Sequence, residues 1–216
     1  MNRDGTGPLV LCLGKFDALH RGHRALAERA AAFGRPALLR FSGMAELLGW
    51  SPRLPLVAPE DRARIIAEWP GAPVEIEQAF AAVRQLDAAG FVSLMQQRFP
   101  LAGLVVGDDF RGGRDRAADA AAFVAAGTAA GLRIDIVRAV ADGGGPVSST
   151  RVREALAAGD APLAAELLGR PHRLLGTVVR GDGRGGSIGI HTANLGARTN
   201  QEPGTGVYAA WGATGR

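Results

Sequence analysis

Short apolar runs alternate with helix-like segments along most of the chain, and this alternation constrains the fold more than any other feature. The runs typical of strands are residues 8–14, 36–41, 74–77, 101–107 and 132–140. Strands that alternate with helices predict a single parallel sheet with helices on both faces, which is an α/β fold. In such a fold, ligands bind beyond the carboxyl ends of the strands.

The segments between these runs have apolar residues at helical spacing. The predicted helices are residues 23–33, a short turn at 43–50, 59–69, 87–99, 116–131, 150–159 and 161–169. Asp160 is the expected N-cap of the last helix, and Ser148 or Ser149 caps the one before it. After residue 169 the pattern becomes short β-like pieces broken by glycines. The sequence therefore predicts two parts, 1–169 and a small β-rich piece at 170–216, too short to fold on a core of its own.

The charge and cysteine content exclude several classes of protein. The net charge of +4 comes from arginines scattered among acids, which argues against nucleic-acid binding despite a pI of about 10.4. No apolar run approaches the ~18 residues of a membrane span. Cys12 is the single cysteine, so no internal disulfide forms. A reducing intracellular compartment is expected, with no nucleic-acid or membrane partner.

The stretch GKFDALHRGH, residues 14–23, follows the first predicted strand. Gly14 allows the chain to turn, and a helix beginning near His20 would present free N–H groups and the positive end of its dipole to an anion such as phosphate. His20 and His23 share one helix face. A zinc site would need further ligands that no Cys or His cluster supplies. Spacing alone leaves open whether the two imidazoles bind an anion or only satisfy the fold.

A second helix start, VSSTRVREAL at 147–156, gathers hydroxyl and guanidinium groups. A capped helix needs one hydroxyl, whereas Ser148, Ser149 and Thr150 supply three. Arg153 adds a planar donor suited to phosphate. A well-capped helix with a solvated arginine is the alternative. Two such helix starts beyond strand ends suit a polyphosphate such as ATP, and Phe110 in the third stretch, 105–119, could stack on a ring or belong to the core.

These three stretches, in this order and spacing, resemble the prokaryotic-type FAD synthetases, whose N-terminal module is an FMN adenylyltransferase. The stretch RFSGMAELLGWSPRLPLVA at 40–58 is most similar to the plant plastid type. The resemblance implies a Rossmann-like nucleotidyltransferase with an HxGH motif over residues 1–169. It implies transfer of AMP from ATP to FMN with Mg²⁺, giving FAD and pyrophosphate.

The resemblance also implies roles for individual residues of the first part. No metal-ligating residue is predicted there. The catalytic residues would be His20, His23 and Arg153. The ATP-binding residues would be Gly14, Lys15, Phe16, Asp17, Gly22, Ser148, Ser149 and Thr150, and the FMN-binding residues Phe41, Asp109 and Phe110. Ala18 stands where the family prefers Gly, and Gly112 replaces an aromatic residue.

The tail at 170–216 resembles the start of a riboflavin kinase domain. Thr192 and Asn194 match positions that serve phosphate and metal there, whereas His191 replaces a proline. A full kinase module is more than twice as long, so no riboflavin kinase activity is expected. The tail is either a short remnant packed on the first part or the beginning of a longer bifunctional protein.

Two other functions stay open at the level of sequence. One is an HxGH nucleotidyltransferase for another acceptor, such as nicotinamide mononucleotide or phosphopantetheine. The other is a nucleotide- or flavin-binding regulator that has lost catalysis. The expected location is the cytoplasm, or the plastid stroma if a transit peptide has been removed.

Overall fold

The computed structural model describes residues 7–181, 189 and 192–214. Its strands are β1 (Leu9–Leu13), β2 (Arg35–Ser42), β3 (Val74–Ala79), β4 (Leu101–Gly107), β5 (Arg111–Gly112), β6 (Ala118–Asp119), β7 (Arg133–Val137), β8 (Ala141–Asp142), β9 (Gly145–Pro146), β10 (Thr177–Val179) and β11 (Asn194–Gly196). Its α-helices are α1 (Arg21–Ala31), α2 (Met44–Leu47), α3 (Arg62–Ala67), α4 (Ala88–Arg98), α5 (Ala120–Ala129), α6 (Ser149–Ala157) and α7 (Ala161–Leu168). Short 3₁₀ turns are formed by Pro59–Asp61, Phe80–Ala82 and Arg114–Arg116.

Within the described residues, a five-stranded sheet has the order β3-β2-β1-β4-β7, and every neighbouring pair is parallel. This confirms the predicted α/β fold. From β1 the chain moves to β2 and β3 on one side and then returns to β4 on the other. The strand order therefore reverses between β1 and β4, which is where open α/β sheets form a ligand-binding crevice. The smaller pairs β5-β6, β8-β9 and β10-β11 are antiparallel.

The side chains of the central strand alternate between two apolar cores, as the pleat of a strand requires. Leu9, Leu11 and Leu13 pack in the core that contains buried side chains of α4 and α5. Val10 and Cys12 pack in the opposite core, with α1 and α3. Helices therefore cover both faces, as predicted. Burial raises the pKa of the Cys12 thiol, so this cysteine is an inert core side chain. No helix in the described ranges is long and apolar enough to cross a membrane.

Two predicted helix starts differ from the structure. The helix predicted from residue 59 begins as the 3₁₀ turn at Pro59–Asp61. The helix predicted from residue 116 begins at Ala120, because Asp115 and Arg116 have positive φ angles of 54° and 58°. The carboxylate of Asp119 then accepts a hydrogen bond from the Ala122 N–H at 3.0 Å and caps the helix.

The tail packs against the rest of the chain through buried polar contacts. Asn200 is fully buried, and its amide donates to the carbonyls of Leu56 at 3.3 Å and Arg173 at 2.8 Å. The Gln201 N–H donates to the Pro55 carbonyl at 2.9 Å. The division of the chain at residue 169 stays a prediction, and His191 lies outside the described residues.

The cap predicted for the last helix is present, and it carries a first testable prediction. The Asp160 carboxylate accepts a hydrogen bond from the Leu163 N–H at 2.9 Å. Asp160→Ala is expected to lower the free energy of unfolding by about 1 kcal/mol, because it leaves an orphan donor at the helix start. Urea denaturation measures this. The matched control is Glu166→Ala, which removes an exposed carboxylate from the same helix and should change stability by less than about 0.5 kcal/mol. Equal effects of the two substitutions would contradict the capping role.

Candidate nucleotide-binding site

His20 caps the helix that follows the central strand. Its backbone is extended, with φ −80° and ψ 175°, and its Nδ1 atom accepts a hydrogen bond from the His23 N–H at 3.2 Å. A Cβ at residue 22 would lie 3.1 Å from the His20 ring. Gly22 therefore allows the imidazole to lie over the first turn of α1. This explains locally why a glycine separates the two histidines.

The two imidazoles are stacked on one another and buried. Their ring centroids are 3.7 Å apart with an interplanar angle of 12°, and His20 and His23 are only 7% and 9% exposed. The ring of Phe16, fully buried beneath, contacts His23 at a centroid distance of 4.9 Å. Nδ1 of His23 has no hydrogen-bond partner among the described residues. Unsatisfied buried polar atoms are rare in native proteins, and a catalytic role is one explanation for them.

Both imidazoles are neutral at physiological pH in this structure. Burial, followed by the positive charge of Arg170, lowers the pKa of His20 to about 4. Burial also lowers the pKa of His23, and His20, Arg62 and Arg170 lower it further. Because Nδ1 of His20 accepts a hydrogen bond, the proton of its neutral ring is on Nε2. The ring can therefore donate to an anion.

The low pKa of His20 makes the stability of the protein depend on pH. An imidazole with a folded pKa of about 4 binds its proton more weakly than in the unfolded chain, where its pKa is about 6.5. Its stabilisation is therefore complete above about pH 6.5 and is lost as the pH falls toward 4. Between pH 7 and pH 5 this group alone should reduce the free energy of unfolding by about 2 kcal/mol. Urea denaturation as a function of pH measures this.

His20→Asn is the control for that pH dependence, since asparagine caps a helix but does not titrate. The variant should lose part of the slope between pH 7 and pH 5. The remaining slope comes from His23 and His172, whose pKa values burial also lowers. An unchanged slope would show that His20 is not the titrating group.

The two sequence stretches predicted to bind phosphate meet at the carboxyl edge of the sheet. A Cβ on Gly22 would lie 3.8 Å from the Val147 carbonyl oxygen, so the start of α1 adjoins the start of α6. Asp17 and Arg153, 136 positions apart in sequence, form an ion pair with Oδ2 and Nη2 separated by 2.7 Å. Gly14 directly follows β1, and a Cβ at this position would lie 3.1 Å from the Phe16 ring.

The hydroxyl groups at the start of α6 do not all have the same role. Ser148 is the N-cap, and its Oγ accepts a hydrogen bond from the Arg151 N–H at 3.3 Å. The N–H groups of Ser149 and Thr150 precede the first intrahelical bonds and have no partner within the helix. Their hydroxyls lie in the same turn, and Thr150 is exposed. This turn therefore offers N–H and hydroxyl donors at the start of α6.

Arg153 links several segments that surround the site. Besides Asp17, its guanidinium donates to the Leu54 carbonyl at 3.0 Å and to Oε1 of Gln201 at 2.6 Å. The remaining oxygen of Asp17 accepts from the Leu56 N–H at 3.1 Å. Arg153 thus joins the turn after β1, the segment before α3 and the tail. Its two Nη atoms have these protein partners, whereas its buried Nε has no hydrogen-bond partner among the described residues. Its role at a phosphate stays a prediction.

Lys15 and residues 49–53 line an open cavity of about 510 Å³. Its ammonium group is 4.4 Å from the centre of the Trp50 ring, which is a cation–π contact. Burial, Arg116 and Arg53 lower its pKa. The charge of Lys15 is therefore held close to other cations, an arrangement that favours an anionic ligand. A larger cavity of about 890 Å³ is lined by residues 85–89, 113–115, 117, 118, 122, 125 and 126, and none of the predicted site residues lines it.

The predicted FMN-binding residues lie at the carboxyl ends of β2 and β4, on either side of β1. Phe41 packs edge-to-face on Phe80 at 6.2 Å, and Phe110 on Phe123 at 5.2 Å. Asp109 is exposed. Gly112 leaves room for the Phe110 ring, which would lie 3.0 Å from a Cβ there. Both aromatic rings are partly buried against the apolar core, and their contact with a flavin stays a prediction.

Thr192 and Asn194 lie in the tail, away from the histidine pair in the chain. Asn194 begins β11 opposite Val179, and both predicted residues are exposed. None of the contacts recorded within the described residues joins either of them to the histidine site. Their kinase-like role stays a prediction.

Sequence reasoning missed three residues that contact the site region from distant positions in the sequence. Arg170 donates to the carbonyls of Ala18 and Leu19, immediately before His20. Asn200 and Gln201 fix the segment at 54–56. Local patterns carry no signal for such contacts, because each partner lies far away in sequence. Ala18 is fully buried among side chains of α6 and α7, so its methyl group belongs to the core.

Comparison with known proteins identifies two family models that match the chain. The model described as FAD synthetase matches residues 3–151, and the model described as riboflavin kinase matches residues 168–216. FAD synthetase 1, chloroplastic, from Arabidopsis thaliana is 40% identical over 97% of this chain and 66% of its own. FAD synthetase 2, chloroplastic, from the same plant is 39% identical, over 96% of this chain and 62% of its own.

A bacterial relative and a solved structure extend the comparison. The bifunctional riboflavin kinase/FMN adenylyltransferase of Escherichia coli K12 is 37% identical over 93% of this chain and 66% of its own. The crystal structure of a macrolide-efflux protein from Streptococcus pneumoniae aligns with a TM-score of 0.79 and 27% identity, covering 94% of this chain and 69% of that one. The chain spans 66% and 62% of the length of the two plant relatives.

Proposed function

Because the chain belongs to the FAD synthetase family, we propose that it transfers the adenylyl group of ATP to FMN, giving FAD and pyrophosphate. The observation that carries this proposal is the meeting of two helix starts beside a pair of neutral imidazoles. The Asp17–Arg153 ion pair of 2.7 Å joins those two motifs. They lie at the edge where the strand order reverses, the position at which such sheets bind nucleotides.

In the proposed reaction, a phosphate oxygen of FMN attacks the α-phosphorus of ATP. The bond from that phosphorus to the bridging oxygen breaks, and pyrophosphate leaves with the oxygen. The attacking phosphate is already anionic, so no general base has to remove a proton. The work of the protein is therefore to hold the two phosphates in line and to stabilise charge on the leaving group.

The described side chains suit that task. His20, with its proton on Nε2, and His23 would donate to phosphate oxygens near the α-phosphorus. The donors of Ser149 and Thr150 would bind the outer phosphates, and Lys15 would add positive charge. ATP would enter as its Mg²⁺ complex, since proteins usually hold this ion through substrate phosphates and one or two carboxylates.

A flavin-product assay tests the function directly. The purified protein is incubated with Mg-ATP and either FMN or riboflavin, and the flavins are separated by chromatography. We expect FAD from FMN. The riboflavin arm is included because the riboflavin kinase model matches residues 168–216, and FMN formed from riboflavin would overturn the expectation of no kinase activity. Absence of FAD in the FMN arm would refute the proposed function.

A thermal-shift screen distinguishes FMN from other acceptors. A ligand that binds only the folded protein raises its melting temperature. With Mg-ATP analogues present, FMN should raise the melting temperature, whereas nicotinamide mononucleotide and phosphopantetheine should leave it unchanged. Binding of FMN without pyrophosphate release would instead indicate a regulator that has lost catalysis.

For location, we propose a reducing compartment, either the cytoplasm or the plastid stroma. The support is the single buried thiol of Cys12 and the chloroplastic names of the plant relatives. Fractionation of the source cells followed by immunoblotting would decide between the two compartments.

A further inference from the structure

Arg170 reaches from the segment after α7 back to the turn that precedes the histidine pair. Its Nη2 donates to the Ala18 carbonyl at 2.9 Å, and its Nη1 donates to the Leu19 carbonyl at 2.7 Å. Nη1 also lies 3.3 Å from the Leu168 carbonyl. Arg170 lies in the part of the chain that matches the riboflavin kinase model, whereas the turn that it holds lies in the part that matches the FAD synthetase model.

The turn that Arg170 holds has an unusual backbone. Phe16 and Leu19 each have a φ of 48°, in the left-handed region that non-glycine residues rarely adopt. Both side chains are fully buried, so core packing fixes their positions. A backbone in this conformation persists only when its surroundings determine it. The two carbonyls gripped by Arg170 belong to the residues directly before His20, whose ring stacks on His23 at 3.7 Å.

We propose that Arg170 is a positioning residue for adenylyl transfer, because its guanidinium clamps the Ala18–Leu19 turn and thereby fixes His20 and the stacked His23. A planar guanidinium spans two neighbouring carbonyls, whereas an ammonium group acts as a point charge. The inference rests on the proposed function, because it assigns a role in that reaction. It makes a residue of the kinase-like tail part of the support of the adenylyl-transfer site.

Arg170 also influences the protonation of both imidazoles. Burial is the main cause of the low pKa values of His20 and His23, and the charge of Arg170 lowers both further. Asp17 acts in the opposite direction on His20, and Arg62 acts in the same direction on His23. Arg170 keeps its own charge at neutral pH, since burial lowers its pKa only to about 10. Loss of this charge should therefore raise the pKa of both histidines.

Two substitutions separate the clamp from the charge. Arg170→Lys keeps the charge but loses the planar fork, and Arg170→Met loses both. We expect both variants to form FAD about 10-fold more slowly or worse, since small misplacements at a reacting centre cost this much or more. The acid limb of the kcat/KM profile should shift to higher pH in R170M and stay in place in R170K. Histidine pKa values measured by NMR in the free protein should follow the same pattern.

Arg173→Met is the matched control. Arg173 lies three positions further along the same segment and pairs with Asp61 at 2.6 Å, but its side chain is 48% exposed. Asp61 is itself buried, but it keeps its ion pair with Arg64 at 2.7 Å when Arg173 is removed. R173M should therefore leave turnover within about threefold of the unmodified protein. Equal losses in R173M and R170M would assign the effect to general packing of the tail and overturn the proposal.

The remaining outcomes also decide the question. If R170M does not fold, R170K still carries the test. Full turnover in R170K would refute the proposed positioning role of the Arg170 guanidinium. If the unmodified protein makes no FAD, the proposed function fails. The NMR measurement would then still show whether Arg170 fixes the ring pair, through the pKa values and the stacking shifts of His20 and His23. Unchanged histidine resonances in both variants would overturn the inference without any assay of activity.

Discussion

Replacing His23 by alanine is expected to lower the rate of FAD formation about 100-fold or more. The imidazole stacks on His20 at 3.7 Å and rests on Phe16, so its removal takes away a donor and also releases its neighbour. Loss of one preorganised donor to developing charge typically costs about 100- to 1,000-fold in kcat. Single-turnover measurement of FAD from pre-bound FMN and Mg-ATP reports this step directly.

Leu26→Ala is the control for the cavity that H23A creates. Leu26 lies three residues later in α1, is 7% exposed and packs in the same core as Phe16. Its truncation should destabilise the protein by about 2–5 kcal/mol and leave turnover of the folded fraction within several-fold of normal. H23A with near-normal turnover would remove His23 from the catalytic site, whatever its effect on stability.

The second large effect is expected for Arg153→Met. The substitution removes the ion-pair partner of the Asp17 carboxylate, which is 23% exposed, and it also removes the donor to Gln201. Loss of one partner from a mostly buried ion pair costs about 3 kcal/mol or more. Because the same guanidinium aligns the turn after β1 with the start of α6, FAD formation should fall at least about 10-fold. Urea denaturation and steady-state kinetics measure the two effects.

Asp17→Asn and Arg151→Met complete that experiment. If Arg153 acts as a brace, D17N should impair turnover in the same direction, and the double variant should be less unstable than the sum of the single ones. Normal turnover in D17N beside a large loss in R153M would instead assign Arg153 to direct contact with a phosphate. R151M is the control. Arg151 lies on the same helix as Arg153 but pairs with Asp142 of β8 at 2.9 Å, so its loss should affect only local stability.

The sheet was predictable because each central strand is a short apolar run bounded by turn residues. The run at 101–107 coincides with β4, and 8–14 contains all of β1. Helix starts were predictable where a single side chain decides them, as Ser148 and Asp160 do. The start of α5 was not predictable in this way, because positive φ angles at Asp115 and Arg116 interrupt a segment whose composition favours a helix.

The residues of the candidate site also fall into a predictable and an unpredictable group. Those at the crevice come directly after strands or at the first turn of helices, so local motifs indicate them. The residues that hold those motifs in place contact them across long sequence separations, as Arg170 contacts Leu19 across 151 positions. An arginine after a helix end, such as Arg170 after Gly169, has no local feature that distinguishes it from a solvated one. Only the folded chain identifies such residues.

The contacts of the tail have a consequence for the order of events during protein synthesis. A chain emerging from the ribosome folds from its N-terminal end, so the parallel sheet can form while the tail is still being made. Arg153 obtains its contact with Gln201 only after that residue has emerged. The nascent protein would thus pass through a stage with a complete sheet and an incomplete brace. Nucleotide capture by ribosome-bound chains should strengthen once residue 201 has left the exit tunnel.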